Sequence, residues 1–308
     1  MNSSRTDKLF ILLFAYALFA LLCIGIFGCA SEQSLFYSAI DCLPLSNGDI
    51  LVLFSKLPEQ KNFADALIRF SSKGEKIWEL RDGLRFAHTI NSDGKGNFLI
   101  SNTLAKEILT VSPFGKVIDR IKLKAAVNDA EALPDGALLV SAMPNRILTL
   151  ARNGRILKEI RYPSHASKEV YLHDVEPLPD GGVRVCISRE GKVVWLDKRG
   201  KLVNEITGYR FPKNVTDLPG GELLISDAAG VHRLDAAFHE TDFIPFQNAY
   251  NTRFVSGKLY LSSGKLVICS LSGQVEQTLG YRWPGYEAVK SAVPEKLRDK
   301  LQSLGYLH

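Results

Sequence analysis

A short phrase ending in glycine recurs along the chain and constrains its fold more than any other feature. It reads Leu45-Ser46-Asn47-Gly48, Ser92-Asp93-Gly94-Lys95-Gly96, Leu133-Pro134-Asp135-Gly136, Leu178-Pro179-Asp180-Gly181 and Leu218-Pro219-Gly220-Gly221, with a weaker copy at Phe254-Val255-Ser256-Gly257. The last glycines are spaced by 48, 40, 45, 40 and 36 residues. Spacings near 40–45 residues are the size of a four-stranded propeller blade. Each glycine leads into a β-rich run, such as Ile50-Leu51-Val52-Leu53 or Leu138-Leu139-Val140. The Pro-Asp-Gly and Asn-Gly elements supply the backbone angles that a tight turn into a strand requires.

A second turn follows in register at Gly74, Gly115, Gly154, Gly200 and Gly273, each between two short apolar runs; the fifth repeat has Ala236-Ala237-Phe238-His239 instead. Two hairpins per repeat make a four-stranded sheet, so the chain reads as an all-β, six-bladed β-propeller. The first repeat carries extra residues at Leu57–Asp65, expected to form a loop on one face. An amphipathic stretch of helical character lies only near Pro294 to Leu304. The expected domains are an export or anchor segment at 1–30, the propeller at 31–281, and a C-terminal tail with a short helix at 282–308.

Arg5 and Lys8 precede an uncharged apolar stretch from Leu9 to Ala30. That pattern reads as a lipoprotein-type signal peptide or an uncleaved membrane anchor, with residues 31–308 outside the cytoplasm. Ile26-Phe27-Gly28-Cys29 resembles a bacterial lipobox, which implies acylation at Cys29 and a periplasmic-side, membrane-anchored protein. Beyond the leader the cysteines are Cys42, Cys186 and Cys269, each in a β-like apolar run. Their pairing is open on sequence grounds. Neither C-x-x-C nor His/Cys metal spacing occurs, and no metal or cofactor is expected. The net charge of +5, from 38 Lys+Arg against 33 Asp+Glu, is well mixed, with no basic run that would track nucleic acid.

Function should reside where the repeats differ. Eight residues before each first glycine, at the opening of the innermost strand, stand Ile40, His88, Asn128, His173, Lys213 and Ala249. Four polar side chains would thus converge on the central channel. The following position is Asp41, Thr89, Asp129, Asp174 and Asn214, nearly a repeated acid or amide. Repetition of that kind points to a structural task, the satisfaction of backbone N–H groups. Matching phrases Leu84-Arg85-Phe86 and Tyr209-Arg210-Phe211 place Arg85 and Arg210 in blades two and five, where they could face each other across one mouth; Arg253 falls in a related Arg-Phe phrase. The expected site is therefore catalytic His88 and His173, with Arg85, Asn128, Lys213 and Arg210 as ligand-binding groups suited to an anion. The plainer alternative is a wet channel whose polar groups bind only water.

The phrases Gly74-Glu75-Lys76-Ile77-Trp78-Glu79-Leu80 and Leu172-His173-Asp174-Val175-Glu176-Pro177-Leu178-Pro179-Asp180-Gly181 resemble blades of the arylsulfotransferase-type propellers, over about residues 38–281. NHL-like and quinoprotein-like propellers share much of the pattern. The resemblance implies that His88 or His173 accepts a sulfuryl group from an aryl sulfate, while the other imidazole and Arg85 or Arg210 hold its oxygens. Neutral imidazole is a competent nucleophile for that step. A calcium-dependent lactonase would instead need carboxylates and amides at the ring. Strand alternation puts Asp129, Glu131, Asp174 and Glu176 off the face of Asn128 and His173. The expected function is a membrane-tethered, extracytoplasmic binding module for a protein partner in a membrane complex or for an anionic small molecule, with the arylsulfotransferase-like enzyme as its alternative.

Overall fold

The computed structural model of the chain describes residues 38–55, 65–163 and 170–280. Outside them lie the apolar leader with Cys29, most of the Leu57–Asp65 insertion, the aromatic stretch from Tyr281 and the C-terminal helix expected near Pro294. The described residues form six antiparallel four-stranded sheets, each contiguous in sequence. Their innermost strands are Ser38–Pro44, Ala87–Ser92, Val127–Ala132, Leu172–Pro177, Asn214–Asp217 and Asn251–Val255. The sheets are arranged as the blades of a six-bladed propeller, and among the described residues helical structure is limited to three short 3-10 turns.

The second strand of a blade, as in Ile50–Ser55 and Leu138–Ala142, is buried along its length because both of its faces are covered, although that of blade four carries Arg184 within it. In blade two, Ile100 packs with Leu51, Leu53 and Leu67 of blade one, whereas its neighbour Leu99 packs with Leu138, Val140 and Leu148 of blade three. Blade three repeats the pattern, since Leu138 and Val140 face blade two and Leu139 faces Val183 and Val185 of blade four. The two-residue period of a strand thus sends alternate side chains to alternate neighbours. The outermost strands, such as Ile156–Arg161 and Leu202–Thr207, are mostly exposed and carry the charges that blunt a sheet edge.

The first glycines all take left-handed angles, as at Gly136 (φ +88°) and Gly181 (φ +83°). The second glycines serve the contact between blades. Each lies against an outer-strand hydrophobe of the preceding blade: Gly74 on Leu279, Gly115 on Trp78, Gly154 on Ile121, Gly200 on Ile160 and Gly273 on Ile244. Blade five replaces the glycine with Phe238, held at φ +65° with its ring 5.0 Å from that of Trp195. The last blade meets the first where Ala39 N–H donates to the Gly264 carbonyl at 3.3 Å.

The repeated acid or amide ties each blade to the next. Asp41 accepts from Ile90 N–H at 2.7 Å, Asp129 from Val175 N–H at 3.0 Å, Asp174 from Val215 N–H at 3.0 Å and Asn214 from Thr252 N–H at 3.1 Å. In blade two, Thr89 makes the equivalent link by donating to the Asn128 carbonyl at 3.3 Å. Cys42, Cys186 and Cys269 are buried free thiols in three different blades.

Candidate functional site

The innermost strands open at one end of the channel, and there the ring residues gather. His88 and His173, from blades two and four, have ring centroids 5.0 Å apart. Asn128 of the intervening blade is spent on structure, donating to the Leu172 carbonyl at 2.7 Å. The sixth ring position is Tyr250. Tyr250 N–H bonds to the Ser262 carbonyl as Lys213 N–H bonds to that of Ser226, both at 2.8 Å, so the expectation of Ala249 is off by one residue. The cause is the turn of blade six, where Ser256 and Gly257 (φ +52° and +80°) form a two-residue hairpin loop in place of a longer one. The Lys213 ammonium lies 3.4 Å from the centre of the Tyr250 ring.

The two Arg-Phe phrases fold as the same turn. Arg85 N–H donates to Asn102 Oδ1 at 2.6 Å, and Arg210 N–H donates to Asp227 Oδ2 at 2.7 Å. Phe86 and Phe211 follow at φ +51° and +62°. That left-handed conformation costs a bulky residue about 1–2 kcal/mol. It lays the two rings on the two imidazoles, with centroids 5.4 Å apart for Phe86–His88 and 5.6 Å for Phe211–His173. Tyr171 adds a third ring, 6.5 Å from His173, and carries the Arg189 guanidinium 4.5 Å above its centroid. Arg85 and Arg210 are exposed, among the described residues neither makes an ion pair, and the charge that acts on both imidazoles is that of Lys213. What recurs in these phrases is the turn and its phenylalanine.

The mouth is therefore basic, aromatic and short of counter-charge. His88 and His173 are half-buried by exposed area, yet they sit deep among protein atoms. Desolvation, then the nearby Lys213 charge, pushes His88 down to about 4. Desolvation, with His88 and Lys213 beside it, holds His173 well below the usual imidazole range. Lys213 is only 8% exposed, and burial pushes it down to about 7 against the pull of Asp227. Around neutral pH both imidazoles are unprotonated and Lys213 stands near its midpoint.

At the far end of the same channel the chemistry reverses. A cavity of about 330 Å³ is lined by Glu131, Asp174, Glu176, Asp217, Asn214 and Arg253, among others. Arg253 turns toward blades one and two, where its Nη2 donates to Asn91 Oδ1 at 2.7 Å and the Ile90 carbonyl at 3.0 Å, and lies 3.4 Å from Asp41. Arg184 bridges Glu176 and Asp217. Burial is the main cause that raises Asp41 to about 6 and, with Asp129 and Glu176 beside it, Asp174 to about 8. Glu131, Asp174 and Glu176, which strand alternation puts off the face of Asn128 and His173, line this cavity all the same. An innermost strand turns its edge to the channel, so residues on either face can reach it. Among the described residues, no group of three or more His, Cys, Asp or Glu is arranged to hold a metal ion. Arg253 and Glu131 were not singled out by the sequence as channel residues; the recurring acid positions on neighbouring strands were the one signal that pointed there.

Comparison with known proteins supports the fold. No known family profile matches the chain, and no curated protein matches its sequence. Among solved structures, a protein of unknown function from Bacteroides caccae superposes with a TM-score of 0.61 at 17% identity, covering 71% of this chain and 91% of that one. A structure described as a gluconolactonase candidate gives 0.60 at 17% identity, over 82% and 92%. Virginiamycin B lyase from Staphylococcus aureus gives 0.55 at 14% identity, over 82% and 87%. The chain is a six-bladed propeller whose structural neighbours are of the gluconolactonase and virginiamycin B lyase type.

Proposed function

We propose that this protein is a membrane-anchored, extracytoplasmic propeller that binds a small ligand, flat and apolar in body and anionic at one end, at the mouth formed by His88, His173 and Lys213. One observation carries the reading. Three basic side chains converge without an ion-pair partner among the described residues, inside a wall of Phe86, Phe211, Tyr171 and Tyr250. An anion entering there would supply the missing counter-charge, and the rings would take its apolar part. Calorimetric titration with an aryl sulfate, an aryl phosphate and an aryl carboxylate tests this. Binding that weakens at least ~10-fold in Lys213→Met supports it, and equal binding by wild type and variant removes the site from this mouth.

A second reading, sulfuryl transfer through an imidazole, is favoured by the neutral state of His88 and His173, which leaves a ring nitrogen free to attack. Arg85 and Arg210, which that reading would use to hold the sulfuryl oxygens, are exposed. Intact-mass analysis after brief exposure to an activated aryl sulfate decides it: an adduct lost in His88→Ala or His173→Ala establishes transfer, and no adduct ends it. The anchor rests on the Leu9–Ala30 stretch and Cys29. Lipid labelling of the full chain should vanish in Cys29→Ser if that cysteine is acylated, and persistence of the membrane fraction without label would indicate an uncleaved helix.

A further inference from the structure

Lys213 is the most unusual group in the channel, because a lysine almost fully removed from water normally has a carboxylate beside it. Here the nearest acid that acts on it is Asp227, and Asp227 is already occupied. Its oxygens accept from Arg210 N–H at 2.7 Å, Ala229 N–H at 2.6 Å and Gly230 N–H at 3.0 Å, and His232 Nε2 lies 3.3 Å away. Lys213 itself makes no hydrogen bond or ion pair through Nζ among the described residues, and its contact is with the face of Tyr250. Lys213 keeps 8% of its surface exposed. Two imidazoles stand at the same mouth, and the Lys213 charge disfavours their protonation. The Tyr250 face favours the ammonium, whereas burial and the absent carboxylate favour the amine.

We propose that Lys213 is a nucleophilic amine that condenses with the carbonyl group of an aldehyde ligand at this mouth to form an imine. The inference rests on the binding reading above and adds the chemical class of the ligand and a covalent step. The Nζ lone pair attacks the carbonyl carbon, a C–N bond forms, and the carbonyl oxygen takes up a proton to give a carbinolamine. The nitrogen gives up one proton at that stage, the hydroxyl takes up a proton and leaves as water, and the resulting iminium loses its N–H proton to leave C=N, so amine plus aldehyde equals imine plus water with no change of oxidation state. The neutral imidazoles of His88 and His173 are suited to relay those protons. A free-amine population near half at neutral pH, against about one in 10³ for an ordinary surface lysine, supports a selective reaction.

Pyridoxal 5′-phosphate suits the site as a probe, since it joins an aromatic ring, a phosphate and an aldehyde. Pyridoxine 5′-phosphate has the same ring and phosphate with an alcohol in place of the aldehyde. The full-length protein is treated with limiting pyridoxal phosphate at pH 7, reduced with borohydride to fix C=N as a secondary amine, and mapped by peptide mass. The expected result is labelling of Lys213 at least ~10-fold above every other lysine, rising in rate through neutral pH and suppressed by pyridoxine phosphate. Lys213→Arg should lose the adduct, with no other lysine taking up the label in its place. If both compounds bind and Lys213 is not enriched, the imine is refuted and the binding reading stands. Enrichment without protection by the alcohol keeps the imine and refutes the anion site. If neither compound binds and no adduct forms, both readings fall.

Discussion

Replacing Gly200 by alanine should separate two roles that a left-handed glycine can have. Gly200 sits at φ +82°, and an added Cβ would lie 2.6 Å from Ile160 Cγ2, 3.4 Å from Cγ1 and 3.5 Å from Cβ. Ile160 is 8% exposed, belongs to the core between blades three and four and borders a cavity of about 500 Å³ there, so the added methyl is met only by shifting its branched side chain out of that packed position. Two costs follow. The left-handed backbone disfavours alanine by about 1 kcal/mol, and forcing a methyl into a packed blade contact adds about 1–3 kcal/mol. Gly136 is the control, because its φ is +88° and nothing lies within 4 Å of its added Cβ. Gly136→Ala should cost about 1 kcal/mol and Gly200→Ala about 2–4 kcal/mol, read from urea midpoints at constant slope. In an Ile160→Ala background the excess should disappear, leaving both substitutions near the smaller value. Equal costs for the two glycine variants in the wild-type background would refute the spacer role and leave only the turn.

Other expectations concern the channel. Arg253→Met removes the guanidinium that faces Asp41 and Asn91 and leaves buried carboxylates uncompensated, which should cost about 3–5 kcal/mol. Adding Asp41→Asn should recover part of that loss in a double-mutant cycle, and no recovery would show that Asp41 is not the partner. For Asp174, burial raises the folded carboxyl to about 8, above its unfolded value of 3.8. The folded state therefore binds more protons than the unfolded one, and stability falls as pH rises from about 4 to about 8. Asp174→Asn keeps the acceptor for Val215 N–H and removes the charge, so its urea midpoint should fall less between pH 6 and 9 than that of wild type; parallel profiles would contradict the assignment.

The fold was legible in the sequence because its two recurring glycines each mark a backbone demand that few other residues meet. Where blade five breaks the rule, Phe238 adopts the left-handed angle itself and fills the space with its ring. The ring of channel residues was legible in five blades and shifted by one in the sixth, where a shorter turn changes the count between glycine and strand. Repetition at Arg85 and Arg210 has a structural source, since the repeated element is a turn whose backbone is held by Asn102 and Asp227. The lowered basicity of Lys213 and the imidazoles could not be read from spacing, since it arises from their burial in the folded channel. Nor could the acid cavity, whose members come from strands far apart in sequence and meet only because blades three to six converge on one axis.

The most direct test is a pH titration of the His88 and His173 imidazoles by nitrogen-15 NMR, with and without 4-nitrophenyl phosphate. In the free protein His88 should titrate near about 4, pushed there by desolvation and Lys213, with His173 also well below the ordinary imidazole value. With the anion bound, both should move upward toward that ordinary value, because the ligand supplies the counter-charge the mouth lacks. Imidazoles that already titrate normally in the free protein, or that ignore a saturating anion, would contradict the mouth as the binding site.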